Sequence, residues 1–143
     1  MRDYTKKAKR IDNGKWIEGF YFCMEHTDKR HSHHFIIPLG ADLSKGTPID
    51  TIQVEVDPDT MCKPTGLTDK NGNLIWENDV VFVADDEGRS GQVDTGVGEI
   101  DFLEGLWYIG GRVQNSLYDI NRCFQIEIIG NIFDNPELLN GGE

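Results

Sequence analysis

The chain of 143 residues has few of the features that mark secreted or membrane proteins. Its three cysteines, Cys23, Cys62 and Cys123, are an odd number with wide spacing, whereas a disulfide framework normally has an even and denser set. No apolar run approaches the roughly 18 residues of a membrane span, and the first ten residues are basic and polar, unlike a signal peptide. We therefore expect a soluble, cytoplasmic protein with reduced thiols.

Signatures of nucleotide binding and of covalent catalysis are also missing. The chain contains no GxxxxGKS/T, GxGxxG or GxSxG sequence, and the glycines between 88 and 98 lack the order of a phosphate-binding loop. Paired carboxylates such as Asp85-Asp86-Glu87 lie in hydrophilic, turn-like surroundings, where acid/base catalysis would instead need a desolvated pocket. We accordingly predict no catalytic residue and no cofactor.

Basic residues become scarce after the first third of the chain. Up to Asp50 there are nine Lys/Arg and seven Asp/Glu, a net charge of +2, and from Thr51 onward five against eighteen, a net charge of −13, which together give −11. This balance disfavours binding to a phosphate backbone, so we expect no nucleic-acid partner. A solvated acidic surface is favoured over a nucleic-acid mimic that fills a basic groove.

The chain does have many short segments with the alternation or apolar runs of β-strands. Strands are predicted at 15–22, 34–38, 51–56, 80–83, 97–102, 106–109 and 124–133, with short helical turns at 117–121 and 135–139. Asn71-Gly72 predicts a type I′ hairpin turn, in which both residues have positive φ. The tryptophans Trp16, Trp76 and Trp107 are expected to anchor a core. Short strands joined by glycine-bearing turns favour a small antiparallel barrel or two meanders.

Four blocks of the sequence are distinctive: Lys9 to Trp16, Val56 to Thr60, Thr65 to Val81 and Ile128 to Leu139. In these residues and in their order the chain resembles the YopX family of small proteins from bacteriophages and prophages. One departure is Glu77-Asn78-Asp79, where the family commonly has Glu-Gly-Asp. We expect the turn to survive, because Asn tolerates left-handed backbone better than most residues.

The resemblance implies a mainly β fold with an SH3-like barrel towards the C-terminus, and self-association, but no assigned activity, substrate or cofactor. We therefore predict an N-terminal β subdomain over residues 1–60 and an SH3-like β-barrel subdomain over residues 61–143, with short helical turns only. The predicted function is a phage- or prophage-derived, non-enzymatic interaction module. It is expected to form a homo-oligomer and to bind a host or phage protein.

A second interpretation is a metal- or thiol-dependent enzyme that uses Cys23, His26, His31 and His33. Thiolate and imidazole are good zinc ligands, and His31 and His33 would point the same way on a strand. Structural zinc sites usually have two paired ligand clusters, however, and no second cluster follows here. The favoured interpretation is a polar hairpin tip between Glu25 and His34, with no bound metal.

Self-association is predicted to use the first part of the chain. We expect the strands at 16–22 and 34–37 to be sheet edges, whose unpaired N–H and C=O groups invite pairing with another chain. The interface is therefore expected to draw on residues before Asp57 and to leave the acidic loop at 85–96 free.

Overall fold

The computed structural model describes residues 5–25, 32–41, 46, 48, 52–84, 96–110, 116–123 and 125–140. The chain divides into two compact units, Met1–Lys63 and Pro64–Glu143. The fold is mainly β with antiparallel strand pairs and two short α-helices in the described residues, which confirms the mainly β, antiparallel part of the predicted fold class. No helix among these residues is long and apolar enough to cross a membrane.

The N-terminal unit contains a four-stranded antiparallel sheet in the order β1-β2-β3-β4. The strands are β1 (Thr5–Lys9), β2 (Trp16–Glu25), β3 (Ser32–Pro38) and β4 (Val54–Glu55). A short 3₁₀ helix, Pro58–Thr60, follows β4. The Asp57 carboxylate begins it by accepting the N–H of Asp59 at 3.0 Å.

The sequence predicts that the strands at 16–22 and 34–37 are edges of the sheet. In the structure, both strands lie inside it. β2 pairs with β1 and β3, and β3 pairs with β2 and β4. Residues 57–62 also run beside the outer side of β1, where the N–H groups of Cys62 and Asp57 donate to the carbonyls of Lys7 and Lys9 at 2.8 and 2.9 Å. The edge prediction is therefore wrong, because residues distant in sequence supply the neighbours.

One face of this sheet encloses a small apolar core. Its buried members are Ala8, Ile36 and Val56, with Ile17, Tyr21 and Met61 packed against them. Gly19 lies in the same sheet at a point of close approach: a Cβ atom there would lie 1.9 Å from the carbonyl oxygen of Ile37. Only glycine fits this position without moving the neighbouring strand.

The C-terminal unit has a four-stranded sheet in the order β10-β7-β8-β9 and a two-stranded ribbon, β5-β6. Its strands and helices are β5 (Pro64–Thr68), β6 (Leu74–Trp76), β7 (Asp79–Ala84), β8 (Gly96–Leu103), β9 (Leu106–Ile109), α1 (Leu117–Cys123), β10 (Gln125–Asn131) and α2 (Glu137–Asn140). The strand pairs within the described residues do not close into a ring. The SH3-like barrel therefore stays a prediction.

The core of the C-terminal unit is aliphatic and larger. It consists of the buried side chains of Ile75, Val81, Val83, Ile100, Ile109, Leu117, Ile120 and Ile126. Trp76 is also buried, as predicted. Trp107 packs against the core but is only half-buried, and Trp16 of the other unit is half-buried too, so tryptophan alone does not mark the interior here.

The turn at Asn71-Gly72 differs from the predicted type. Gly72 has a φ of +82°, as expected, but Asn71 does not have positive φ. The N–H of Gly72 donates to the Asp69 carbonyl at 3.0 Å, and the N–H of Asp69 donates to the Asn73 carbonyl at 2.8 Å. This is a three-residue loop that ends in a left-handed glycine, and the type I′ prediction is wrong.

The side chain of Asp69 explains why a three-residue loop forms here instead of a type I′ turn. The residue is 6% exposed, and one carboxylate oxygen accepts the N–H groups of Asn71 and Asn73 at 3.0 and 2.9 Å. The other oxygen accepts the N–H of Ile128 on β10 at 3.1 Å. Burial by itself raises the pKa of Asp69, but these donors, with Lys70 nearby, favour the ionised form and bring the pKa below its usual value.

Two other turns place non-glycine residues at positive φ. Asn78 has a φ of 69°, so the left-handed turn survives the replacement of the family's glycine, as predicted. The turn between β8 and β9 has positive φ at both Glu104 and Gly105, at 49° and 86°. The type I′ geometry is therefore found here rather than at Asn71-Gly72.

Replacing Gly72 with Val should lower the free energy of unfolding by about 1–3 kcal/mol, because a β-branched residue is strained at positive φ. Nothing lies within 4 Å of an added Cβ atom, so the loss would be conformational and not steric. Thermal unfolding measures the effect. Gly72→Asn is the matched control and should lose less, because Asn tolerates this conformation. An unchanged melting temperature for Gly72→Val would contradict the turn.

Replacing Asp69 with Asn should lower the free energy of unfolding by about 1–3 kcal/mol at pH 7, because the amide cannot accept all three N–H donors. Asp69 has a lowered pKa in the folded state, so its stabilisation is present above the unfolded-state pKa and is lost as pH falls through the folded-state value. The difference between the two proteins in urea unfolding should therefore shrink below about pH 4. The exposed Asp59→Asn should change stability by less than about 0.5 kcal/mol.

Candidate functional site

The structure separates the residues that the sequence offers as metal or thiol ligands. Cys23 is exposed on β2 and lies directly opposite His34 on β3, whereas His33 lies opposite Met24. Because successive residues of a strand alternate between faces, Cys23 and His33 point to opposite faces of the sheet. His26 and His31 lie outside the described residues.

Both described histidines have protein partners. His33 Nδ1 lies 2.8 Å from a carboxylate oxygen of Glu55. His34 Nδ1 lies 2.6 Å from the Tyr21 hydroxyl, and the two rings are stacked. Burial, and then the neighbouring Cys23, raise the pKa of Tyr21. Among the residues that the structure describes, no three His, Cys, Asp or Glu side chains are grouped to hold a metal ion.

A more extensive feature lies on the face of the N-terminal sheet opposite its core. We call it the aromatic face, and its apolar members are Trp16, Phe20, Phe22, Met24, Phe35 and Ile37, which share one side of β2 and β3 by their register. The rings of Phe22 and Phe35 stack with centroids 5.4 Å apart. Phe20 is 50% exposed and Met24 is 55% exposed. Such a patch is typical of an interaction surface.

The charges on the aromatic face are balanced. The ammonium groups of Lys7 and Lys9 lie 5.0 and 5.5 Å from the centroid of the Trp16 ring. Glu18 lies opposite Lys7, and Glu55 lies opposite Phe35, so both carboxylates share this side of the sheet. The face therefore carries two lysines and two glutamates around its apolar centre, together with His33, which pairs with Glu55.

The C-terminal unit has a small pocket beside the β8–β9 turn. Its volume is about 190 Å³, and its lining residues are Thr65, Leu67, Gly105, Leu106, Trp107, Ser116 and Tyr118. Leu106 is 53% exposed and Tyr118 is 57% exposed. Trp107 also contacts Phe102, with ring centroids 4.6 Å apart. The pocket thus has walls of aliphatic and aromatic carbon that are open to solvent.

The hydroxyl groups of Thr65 and Ser116 in the pocket are already bonded within the unit. Thr65 Oγ1 donates to the carbonyl of Ile75 at 2.7 Å and accepts the N–H of Leu67 at 3.1 Å. Ser116 Oγ donates to the carboxylate of Asp119 at 3.1 Å and accepts its N–H at 3.3 Å. These bonds direct the polar atoms to the protein itself, so the pocket offers mainly apolar contact to a ligand.

Carboxylates are concentrated elsewhere on the same unit. On β8, Asp101 is close enough to Glu99 and Glu77 for them to affect its ionisation. Burial and then the like charges of these two neighbours raise the pKa of Asp101. This part of the surface favours cations over anions.

The sequence contains a signal for the aromatic face but none for the pocket. The aromatic face has a signal, because both the odd and the even positions between Trp16 and Phe22 are largely apolar, as in a strand with two apolar faces. The pocket has no such signal, because Leu67, Trp107 and Tyr118 come from three separate segments. Only the folded chain brings them together.

Comparisons with known proteins agree with the sequence blocks. The sequence profile described as YopX protein matches residues 7–140. Among solved structures, the chain is similar to the crystal structure of protein EF1440 from Enterococcus faecalis, with a TM-score of 0.54 and 25% sequence identity, covering 94% of this chain and 96% of that one. No curated protein has a sequence that matches significantly. Because the profile covers nearly the whole chain, including the Asn71-Gly72 and Asn78 turns, the chain belongs to the YopX family.

Proposed function

We propose that this protein is a non-enzymatic interaction module that self-associates through the aromatic face and binds a further macromolecule. The observation that carries the proposal is the exposed apolar surface of Phe20 and Met24 beside stacked Phe22 and Phe35. Burying such side chains against a second copy would remove apolar area from water, which stabilises an interface.

Charge supports a second copy as the occupant of the aromatic face. The unit Met1–Lys63 has ten Lys/Arg and ten Asp/Glu, a net charge of zero, and the unit Pro64–Glu143 has four and fifteen, a net charge of −11. Like charge makes two C-terminal units repel, whereas two neutral N-terminal units do not. In a two-fold interface the lysines of one copy can meet the glutamates of the other.

The same charges disfavour nucleic acid on the aromatic face. Exposed aromatic rings on a sheet can stack on bases, but single-stranded binders combine them with a positively charged groove. Here Lys7 and Lys9 are matched by Glu18 and Glu55, so the face has no excess of positive charge. A protein surface therefore fits better than a phosphate backbone.

The wider proposal follows the family. It comprises a phage or prophage origin, a cytoplasmic location, an SH3-like curvature of the C-terminal strands and a host or phage protein as the further partner. Its support is membership of the YopX family over residues 7–140 and the presence of a second surface, the pocket, on the acidic unit.

The alternative function is a metal- or thiol-dependent enzyme at Cys23, His26, His31 and His33. It has weaker support, because Cys23 and His33 lie on opposite faces and His33 already pairs with Glu55. Metal analysis of the purified protein separates the two functions. We expect less than about 0.1 zinc per chain, since a structural site would bind one ion tightly. Stoichiometric zinc that is lost in Cys23→Ser would favour the enzyme instead.

The self-association predicts a specific response to substitution. Wild-type protein should have at least the mass of a dimer by light scattering at micromolar concentration. Replacing both Phe20 and Met24 with Ser should weaken association at least about tenfold, or ~1.4 kcal/mol, because both side chains would be buried in the interface. Their exposure means that the folded monomer should lose little stability.

Phe82→Ser is the matched control for this experiment. Phe82 is also a large apolar residue, 41% exposed, but it lies on β7 in the C-terminal unit. This variant should keep the wild-type mass. A monomeric wild-type protein, or equal dissociation of the control and the double variant, would show that the aromatic face is not the interface.

A further inference from the structure

We infer that the pocket lined by Leu67, Leu106, Trp107 and Tyr118 binds one apolar side chain of a partner protein, and that this side chain is flanked by Lys or Arg. The inference rests on the proposed function as an interaction module and names the chemistry of its further partner. It concerns a different unit from the aromatic face, so the two can fail separately.

The size of the pocket sets the size of the occupant. At about 190 Å³ it is somewhat larger than an engineered cavity of roughly 150 Å³ that holds benzene. It is smaller than the roughly 300–1,000 Å³ of sites for cofactors and drug-sized molecules. It therefore suits a single phenylalanine- or leucine-sized side chain inserted from a protein surface, in the manner of an anchor residue at an interface.

The walls set the polarity of the inserted group. Thr65 and Ser116 are the hydroxyl-bearing residues of the lining other than Tyr118, and each already donates within the unit. A polar group inserted beside Thr65 and Ser116 would lose hydration, and both of these hydroxyl protons are already donated to other acceptors. An apolar ring or branched side chain has no hydrogen bonds to water to lose, and it can pack against the Trp107 and Tyr118 rings.

Acidic residues next to the pocket determine which charge is favoured on the residues that flank the inserted side chain. Glu104 is exposed in the turn immediately before Gly105 and Leu106, and Asp119 is exposed immediately after Tyr118. We call these two residues the rim of the pocket: both are next to lining residues in the sequence, and the Asp119 carboxylate also accepts from Ser116 Oγ of the lining at 3.1 Å. The unit that contains them has a net charge of −11. Lys or Arg on either side of the anchor would be attracted to this rim, whereas Asp or Glu would be repelled.

Three blocked pentapeptides separate the contributions of the anchor and of the charge. They are Lys-Lys-Phe-Lys-Lys, which has both features, Lys-Lys-Gly-Lys-Lys, which lacks the anchor, and Glu-Glu-Phe-Glu-Glu, which reverses the charge. Binding to the full-length protein is followed by amide chemical shifts in ¹H–¹⁵N NMR. We expect saturable shifts at Gly105, Leu106 and Ser116 with the first peptide, and affinity at least tenfold weaker with each of the others.

Protein variants test the same two contributions from the other side. Leu106→Ser removes an exposed part of the lining and should weaken binding of Lys-Lys-Phe-Lys-Lys at least fivefold. Glu104→Gln removes one rim charge and should weaken it about twofold, as is typical of an exposed charge pair. Phe82→Ser, which replaces an exposed apolar residue outside the pocket, should bind the peptide like the wild-type protein.

Several results would overturn the inference. Equal affinity for the glycine peptide would mean attraction by charge alone, and equal affinity for the glutamate peptide would mean a merely apolar site. No saturable shift up to about 5 mM peptide would mean that no useful binding energy is available. Shifts at Leu106 that grow with protein concentration, without peptide, would make the occupant a second copy. Light scattering on the same samples reports self-association separately.

Discussion

In the C-terminal unit, the buried carboxylate of Asp69 joins the β5-β6 ribbon to the four-stranded sheet. Asp69 stands where β5 gives way to the loop before β6, and it accepts N–H groups from Asn71 and Asn73 in its own loop and from Ile128 on β10. A buried charge is tolerated only where hydrogen bonds replace its hydration, and here three backbone donors do so. The bond from the Ile128 N–H crosses from the four-stranded sheet to the β5-β6 ribbon, and it joins two residues that are 59 positions apart in the sequence. The register of the ribbon against β10 is thus fixed by polar contacts as well as by the aliphatic core around Ile75 and Ile126.

The two units divide the properties of the chain between them. The N-terminal unit is neutral, has a small core and has an aromatic face with matched lysine and glutamate side chains. The C-terminal unit has the whole net charge of −11, a larger aliphatic core and the solvent-open apolar pocket described above. Charge therefore opposes contact between two C-terminal units and does not oppose contact between two N-terminal units.

The local sequence predicted the positions of these strands well, but it predicted poorly which strands pair with each other in the sheets. Alternation and apolar runs place β2, β7, β8 and β9 close to their observed bounds, because side-chain period depends only on residues within the strand. Pairing depends on distant residues, so 16–22 and 34–37 were expected at edges although both lie inside the sheet. Gly72 was predicted at positive φ from its own lack of a side chain, but the turn type was decided by Asp69, two residues before Asn71. The pocket could not be predicted at all, since no spacing relates Leu67, Trp107 and Tyr118.

The position of β1 has a consequence for how the protein is made. β1 receives its first neighbour, β2, within a few residues, across the Asn13-Gly14 turn. Its second neighbour includes Asp57 and Cys62, which bond Lys9 and Lys7 from about fifty residues further along. On the ribosome, therefore, a hairpin can form early and wait with its outer side unpaired until residue 62 has emerged. During that interval the lysine-rich strand Thr5–Lys9 has an unpaired edge that could pair with the same strand of another chain. The positive charges of the two strands repel each other, and this repulsion opposes such edge-to-edge pairing.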